Sequence, residues 1–119
     1  MESSNDFGKL GEQKAVEHLL GKGYAILERN YLYLKAEIDI IARHGDTLAI
    51  VEVKSRNTGF LEDIMDTVNA KKVKLLTMAA DHYVQKNELD VEVRFDVITV
   101  IKTGREIQLE HLENAFYHF

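Results

Sequence analysis

Residues Glu37–Arg56 read EIDIIARHGDTLAIVEVKSR. Two runs rich in Ile, Val, Leu and Ala flank His44-Gly45-Asp46, a pattern that predicts a β-hairpin. Gly at the first central position favours a type II′ turn, which pairs His44 with Thr47. Counting back from that pair sets Asp39 opposite Glu52 and Glu37 opposite Lys54. Side chains alternate between faces along a strand, so these four charged residues share one face. Opposed Cβ atoms lie about 5 Å apart, which makes Asp39 and Glu52 a like-charge pair. Such a pair destabilises the hairpin unless one carboxyl is protonated or a cation lies between them. Mg²⁺ suits that position, because it is commonly held by a carboxylate or two together with phosphate oxygens. A solvated hairpin face, with Glu37 and Lys54 as a surface ion pair of little worth, accounts for the same spacing. A slip of register or a bulge would undo the pairing.

Working outward, Asp6 to Lys22 has a helical pattern, and Gly23 is a suitable stop. Tyr24 to Asn30 (YAILERN) reads as a strand, and residues 57 to 68 as a loop or short helix. A second helix is expected from Ala70 to Lys86, with Asn69 as its N-cap. Val93 to Ile101 (VRFDVITVI) is a β-branched strand, and Thr103-Gly104 turns it into a short strand at Ile107 to Leu109. The order α-β-β-β-α-β-β predicts an α/β fold: a mixed central β-sheet flanked by helices. No repeat, low-complexity stretch or Pro/Gly/Ser-rich linker interrupts the chain, and 119 residues suit one domain, 1–119.

The chain is 45% hydrophobic and 29% charged, which fits a globular protein and argues against disorder. It has no cysteine, so a disulfide framework and a thiolate metal site are excluded. The opening MESSNDFGKLGEQ lacks a signal pattern and no apolar run approaches membrane-spanning length. A cytoplasmic protein without a membrane partner is therefore expected. The formal net charge of −5 argues, read alone, against nucleic-acid binding, because phosphate contacts need Lys and Arg. A set of carboxylates gathered around a cation would also lower that sum.

Both helices carry a charge on their apolar side. At about 100° per residue, Ala15, Val16, Leu19 and Leu20 mark the apolar face of the first helix, and Glu12 projects into that arc. Gly8, Gly11 and Ala15 form a strip of small residues that lets the helix approach the sheet. An inward carboxylate must be paired, protonated or metal-bound. The alternative is a glutamate that bends out to water and favours the helix dipole. On the second helix Val73, Leu76, Ala79, Ala80 and Tyr83 form the apolar face, and Lys72 points along it in the first turn. A cation there opposes the macrodipole, so a negative partner is expected; a flexible surface lysine is the alternative. Lys71 and Lys74 point elsewhere, to solvent or to a phosphate backbone. Arg94 and Asp96 share the strand face opposite Val93, Phe95 and Val97, and a structural ion pair is the preferred reading. The five histidines show no metal-ligand spacing, and neither a P-loop, a dinucleotide-binding glycine fingerprint nor a nucleophile elbow is present.

Glu12, Asp39 and Glu52-Val53-Lys54, in that order, resemble the PD-(D/E)xK signature of the restriction-endonuclease-like fold. The helix-borne Glu is similar to that of archaeal Holliday junction resolvases. Four stretches resemble the YraN-like family of small bacterial proteins: GEQKAVEHLLGKGYAILERNY from Gly11, EIDIIARHGDTLAIVEVKSR from Glu37, VNAKKVKLLTMAADHY from Val68 and RFDVITV from Arg94. Together they span nearly the whole chain. Ala36 departs from the family, which usually has Gly before EID, and its methyl could crowd a closely approaching backbone or substrate.

The resemblance implies a restriction-endonuclease-like fold and a Mg²⁺- or Mn²⁺-dependent endonuclease acting on DNA, with branched or damaged structures as substrates. It implies Asp39 and Glu52 as metal ligands, the Val53 carbonyl as a further one, and Glu12 as an additional one, directly or through water. Lys54 would orient the attacking water or stabilise developing phosphorane charge, and Glu37 would join the catalytic set. Arg56, Lys71, Lys72 and Lys74 would contact nucleic acid. A competing expectation is a nuclease fold kept without chemistry, which binds nucleic acid or assembles with a repair or recombination protein. The intact acid-acid-Lys set favours the enzyme. The acidic charge and small size favour the module, or a need for a homodimer or partner. RNA is a third substrate class.

Overall fold

The computed structural model describes residues 4–57 and 69–115. The loop or short helix expected at 57–68 lies outside them, except for Asn57. The elements are α1 (Ser4–Gly21), β1 (Ala25–Tyr33), β2 (Ala36–His44), β3 (Thr47–Arg56), α2 (Ala70–Lys86), β4 (Glu92–Thr103) and β5 (Glu106–Leu112). They form a five-stranded sheet in the order β1-β2-β3-β4-β5. Neighbouring strands are antiparallel except β3 and β4, which run parallel. A parallel pair needs a crossover, and α2 lies in it. The expected mixed sheet and α-β-β-β-α-β-β order are thus observed.

Local chemistry sets the element ends. Gly23 takes φ 91°. The Tyr24 N–H donates to the Leu19 carbonyl and the Gly23 N–H to the Leu20 carbonyl, each at 3.0 Å, closing α1 in a Schellman motif. The Asn69 side chain accepts the Lys72 N–H at 2.9 Å and caps α2. In the hairpin Gly45 takes φ 60° while Asp46 stays at negative φ, which is the type II′ turn.

The two faces of the sheet carry separate cores. Phe7, Ala15, Val16 and Leu19 of α1 cover Ile40, Ala42, Ala49, Val51, Ile98 and Val100. Leu76, Ala79, Ala80 and Tyr83 of α2 cover Ile38, Ile41, Leu48, Ile50 and Val97 on the other face. Each such aliphatic or aromatic burial contributes roughly 1.5–3 kcal/mol. Leu20 departs from expectation: it is 53% exposed, because it sits at the margin of an arc centred on Ala15 and Leu19. Gly11 is required by close approach, since a Cβ there would collide with the Ser55 side chain of β3. That contact holds the first turns of α1 against the C-terminal end of β3. Among the described residues no helix is long and apolar enough to cross a membrane.

Candidate active site

The hairpin register is the expected one, from His44↔Thr47 to Ile40↔Val51, and there the β2–β3 ladder stops. The side-chain alternation of β2 also switches at this point. Ile40 and Ala42 pack beneath α1, whereas Ile38, which strict alternation would place with them, packs beneath α2. On β1 the matching irregularity is Asn30, at φ 53°, between the pairs Arg29↔Ile40 and Tyr31↔Ile38. Asn tolerates the left-handed region better than most residues. Asp39 therefore sits where β2 parts from β3, and its Oδ2 accepts the Val53 N–H at 2.7 Å. Glu52 continues the α2-facing series of Leu48 and Ile50, and is only 6% exposed.

Splitting of the strands corrects both expected charge pairings: neither Asp39 with Glu52 nor Glu37 with Lys54 is a rung of the β2–β3 ladder. Glu37 does not face Lys54; it pairs with Leu32 of β1 and is exposed. It still borders the site. A cavity of about 600 Å³ on the α1 side is lined by Glu12, Asn30, Glu37, Asp39, Val53 and Arg56. A second, of about 290 Å³ on the α2 side, is lined by Ala36, Glu37, Asp39, Glu52, Lys72 and Leu76. Glu37 and Asp39 form the wall between them, and Ala36, the departure from the family pattern, is buried beside the second.

The electrostatics follow from burial and proximity. Lys72 Nζ lies 2.6 Å and Lys54 Nζ 3.6 Å from Glu52 Oε1. Burial, then the Glu52 charge and to a lesser degree Glu12, pushes Asp39 up from 3.8 to about 7, against the Val53 hydrogen bond and Lys54. Burial and the neighbouring Lys72 ammonium lower Lys54, although Glu52 opposes them. Burial is the largest single influence on Lys72 and would lower it, but the hydrogen bond to Glu52, the contact with Lys54 and the charges of Glu52 and Asp39 together outweigh it, and the net direction is upward. The like-charge problem set by the sequence is met in both ways at once: Asp39 holds its proton more tightly, and Glu52 takes cationic neighbours.

Glu12 faces inward from α1 as expected, but with protein partners: Asn30 Nδ2 donates to its Oε1 at 3.1 Å and Arg29 Nε at 3.4 Å. Arg56 borders the first cavity and donates to the Ser55 carbonyl at 3.0 Å. Lys71 and Lys74 are exposed. Among the described residues no three His, Asp or Glu side chains stand close enough to share a metal ion. The donor chemistry nevertheless fits Mg²⁺, which accepts few carboxylates and completes its shell with water and phosphate oxygens. Asp39, Glu52 and the Val53 carbonyl would be its protein ligands. Arg29 and Asn30 are partners of Glu12 that sequence reasoning missed; the one available signal is an Asn within an apolar strand.

Arg94 and Asp96 form the expected structural pair. Asp96 is fully buried, and accepts from Arg94 Nε at 2.9 Å and Nη2 at 2.8 Å. His111 Nε2 lies 2.8 Å from the same carboxylate, and the Asn114 N–H donates to it at 3.1 Å. Burial alone would raise Asp96, but these hydrogen bonds outweigh it and hold the carboxyl below its ordinary value. His18 of α1 closes the chain, its Nε2 3.1 Å from His111 Nδ1. These contacts tie α1, β4 and β5 together.

Residues 11–100 match the Uncharacterised protein family UPF0102. The chain is 49% identical to a UPF0102 protein of Christiangramia forsetii, with 100% of each chain covered. It is 50% identical to a UPF0102 protein of Flavobacterium psychrophilum, again with 100% of each covered. Among solved structures, the Holliday junction resolvase Hjc of Archaeoglobus fulgidus superposes with a TM-score of 0.51 at 17% identity, covering 90% of this chain and 77% of that one. At that identity the likeness is one of fold alone. The chain is a member of the UPF0102, or YraN-like, family.

Proposed function

We propose that this protein is a Mg²⁺- or Mn²⁺-dependent endonuclease that hydrolyses phosphodiester bonds in DNA. The observation that carries the reading is that Asp39 and Glu52 line one cavity where the β2–β3 ladder ends, with Lys54 Nζ 3.6 Å from Glu52 Oε1. In this reading Asp39, Glu52 and the Val53 carbonyl hold the ion, and Glu12 supports it directly or through water. The ion supplies a more acidic water and neutralises charge on the scissile phosphate. Lys54 donates to the attacking water or to the phosphate oxygen on which charge grows. Glu37, at the wall shared by both cavities, orders water there. Arg56, Lys71, Lys72 and Lys74 contact the phosphate backbone. Branched DNA is the preferred substrate class, by analogy of fold with a protein described as a Holliday junction resolvase.

A second reading has its own support. Glu52 already has two lysines beside it, and Glu12 has Arg29 and Asn30. A fold whose acidic groups are neutralised internally would serve as a nucleic-acid-binding or assembly module. Under either reading the net charge of −5 favours a repair or recombination protein that contributes basic surface, and the small size favours a second copy of the chain. The deciding experiment is a cleavage panel of single-stranded, duplex, flap and four-way-junction DNA, and RNA, each with Mg²⁺, Mn²⁺ or EDTA. The enzyme reading expects cleavage of at least one DNA with metal and none in EDTA. Binding without cleavage across the panel supports the module.

A further inference from the structure

We propose that Lys72 is a built-in counter-cation that competes with a divalent ion for Glu52, occupying the carboxylate in the metal-free protein and giving way when the ion binds. The proposal rests on the metal-dependent reading above. Its starting point is a local conflict. Lys72 stands in the first turn of α2, where the macrodipole disfavours a positive charge. Yet its ammonium forms the shortest ion pair of the site, 2.6 Å from Glu52 Oε1. Glu52 is nearly buried, and a buried carboxylate without a partner is strongly destabilising.

Two lysines meet the same oxygen, but they are not equivalent. Lys54 is fixed on β3 two residues from Glu52, and its side chain is 15% exposed. The Lys72 side chain is 31% exposed and arrives from outside the sheet on a flexible stem. It also lines the second cavity, which gives its ammonium room to withdraw. A divalent cation at Glu52 would be repelled by both ammoniums, and Lys72 is the one that can leave. Ion binding and the Lys72–Glu52 contact are therefore linked and oppose each other.

The test is calorimetric titration of Mn²⁺ into wild type, Lys72→Gln, Lys72→Arg and, as a control for loss of one positive charge on α2, Lys86→Gln. Circular dichroism in EDTA establishes that each variant is folded. Lys72→Gln should bind Mn²⁺ about fivefold or more tightly than wild type, the low end of ordinary coupling between linked sites. Lys72→Arg keeps the charge with a planar fork that grips a carboxylate better, and should bind Mn²⁺ more weakly than wild type. Its fold does not depend on losing the ion pair, so it tests the proposal even if Lys72→Gln fails to fold. Lys86→Gln should stay within about twofold of wild type, as expected for an exposed charge. Equal affinity in wild type and both Lys72 variants, or weaker binding in Lys72→Gln, overturns the competition while leaving the metal site standing. Absence of Mn²⁺ binding in all four proteins overturns the metal-dependent reading and this proposal with it.

Discussion

Replacing Asp39 with Asn should stabilise the metal-free protein, and the gain should depend on pH. In the folded chain the Asp39 carboxyl is pushed from 3.8 to about 7, by burial first and by the Glu52 charge second. At 1.36 kcal/mol per unit, that displacement sets a ceiling of about 4 kcal/mol on the cost of the charged form. Asn keeps an oxygen to accept the Val53 N–H but loses the charge-assisted part of that bond, which offsets about 1–2 kcal/mol. The net gain is then about 2 kcal/mol at pH values above the folded pKa. The sign follows from proton counts. Between the ordinary and the raised pKa the unfolded chain holds fewer protons than the folded one, so stability falls as pH rises through that window. Below the ordinary value Asp39 is neutral in both states and Asn has no advantage. Urea unfolding in EDTA at about pH 4.5 and about pH 8 reads the difference, with wild type and mutant compared at each pH. A gain that is the same at both pH values, or a mutant less stable at the higher one, would show that the Asp39 charge does not burden the folded protein.

Mg²⁺ should raise the melting temperature of wild type by mass action and leave that of Asp39→Asn unmoved; an undiminished shift in the mutant removes Asp39 from the ligand set. Asp96→Asn should destabilise by about 3–5 kcal/mol, because it leaves Arg94 half-buried without its carboxylate; chemical denaturation measures this, and a loss within about 0.5 kcal/mol would contradict the buried network. Gly11→Ala should cost about 1–3 kcal/mol through collision with Ser55, and adding Ser55→Ala should recover part of it in a double-mutant cycle; simple additivity would contradict the close approach of α1 to β3.

Much of this arrangement could be read from local patterns, and the rest could not for identifiable reasons. Gly45-Asp46 dictates a turn type, the turn dictates a register, and the register brings Asp39 toward Glu52. The end of the ladder at Ile40↔Val51 coincides with the irregularity at Asn30, on a strand whose pairing with β2 no local pattern announces. Glu37 was misplaced for that reason: counting along a hairpin assumes that the strands stay together. The need of Lys72 for an anion was legible from its helix position, because the dipole argument is local. The identity of that anion was not, because Glu52 lies on another element. His18 and His111, 93 residues apart, are joined only by the packing of α1 against the sheet. Leu20 marks the resolution limit of helical periodicity, which finds the centre of an apolar arc better than its margin.

Asp39, Glu52 and Lys54 are proposed as a hydrolytic site and not merely a cation-binding one. Single-turnover cleavage by wild type and Lys54→Ala, with Mn²⁺ affinity and DNA affinity measured on the same preparations, tests it most directly. Lys54→Ala should keep both affinities while cleavage falls by roughly two or more orders of magnitude, the effect of removing a group that stabilises charge in the transition state. Cleavage by Lys54→Ala as fast as wild type, or no cleavage by wild type of any DNA that it binds, would contradict that assignment.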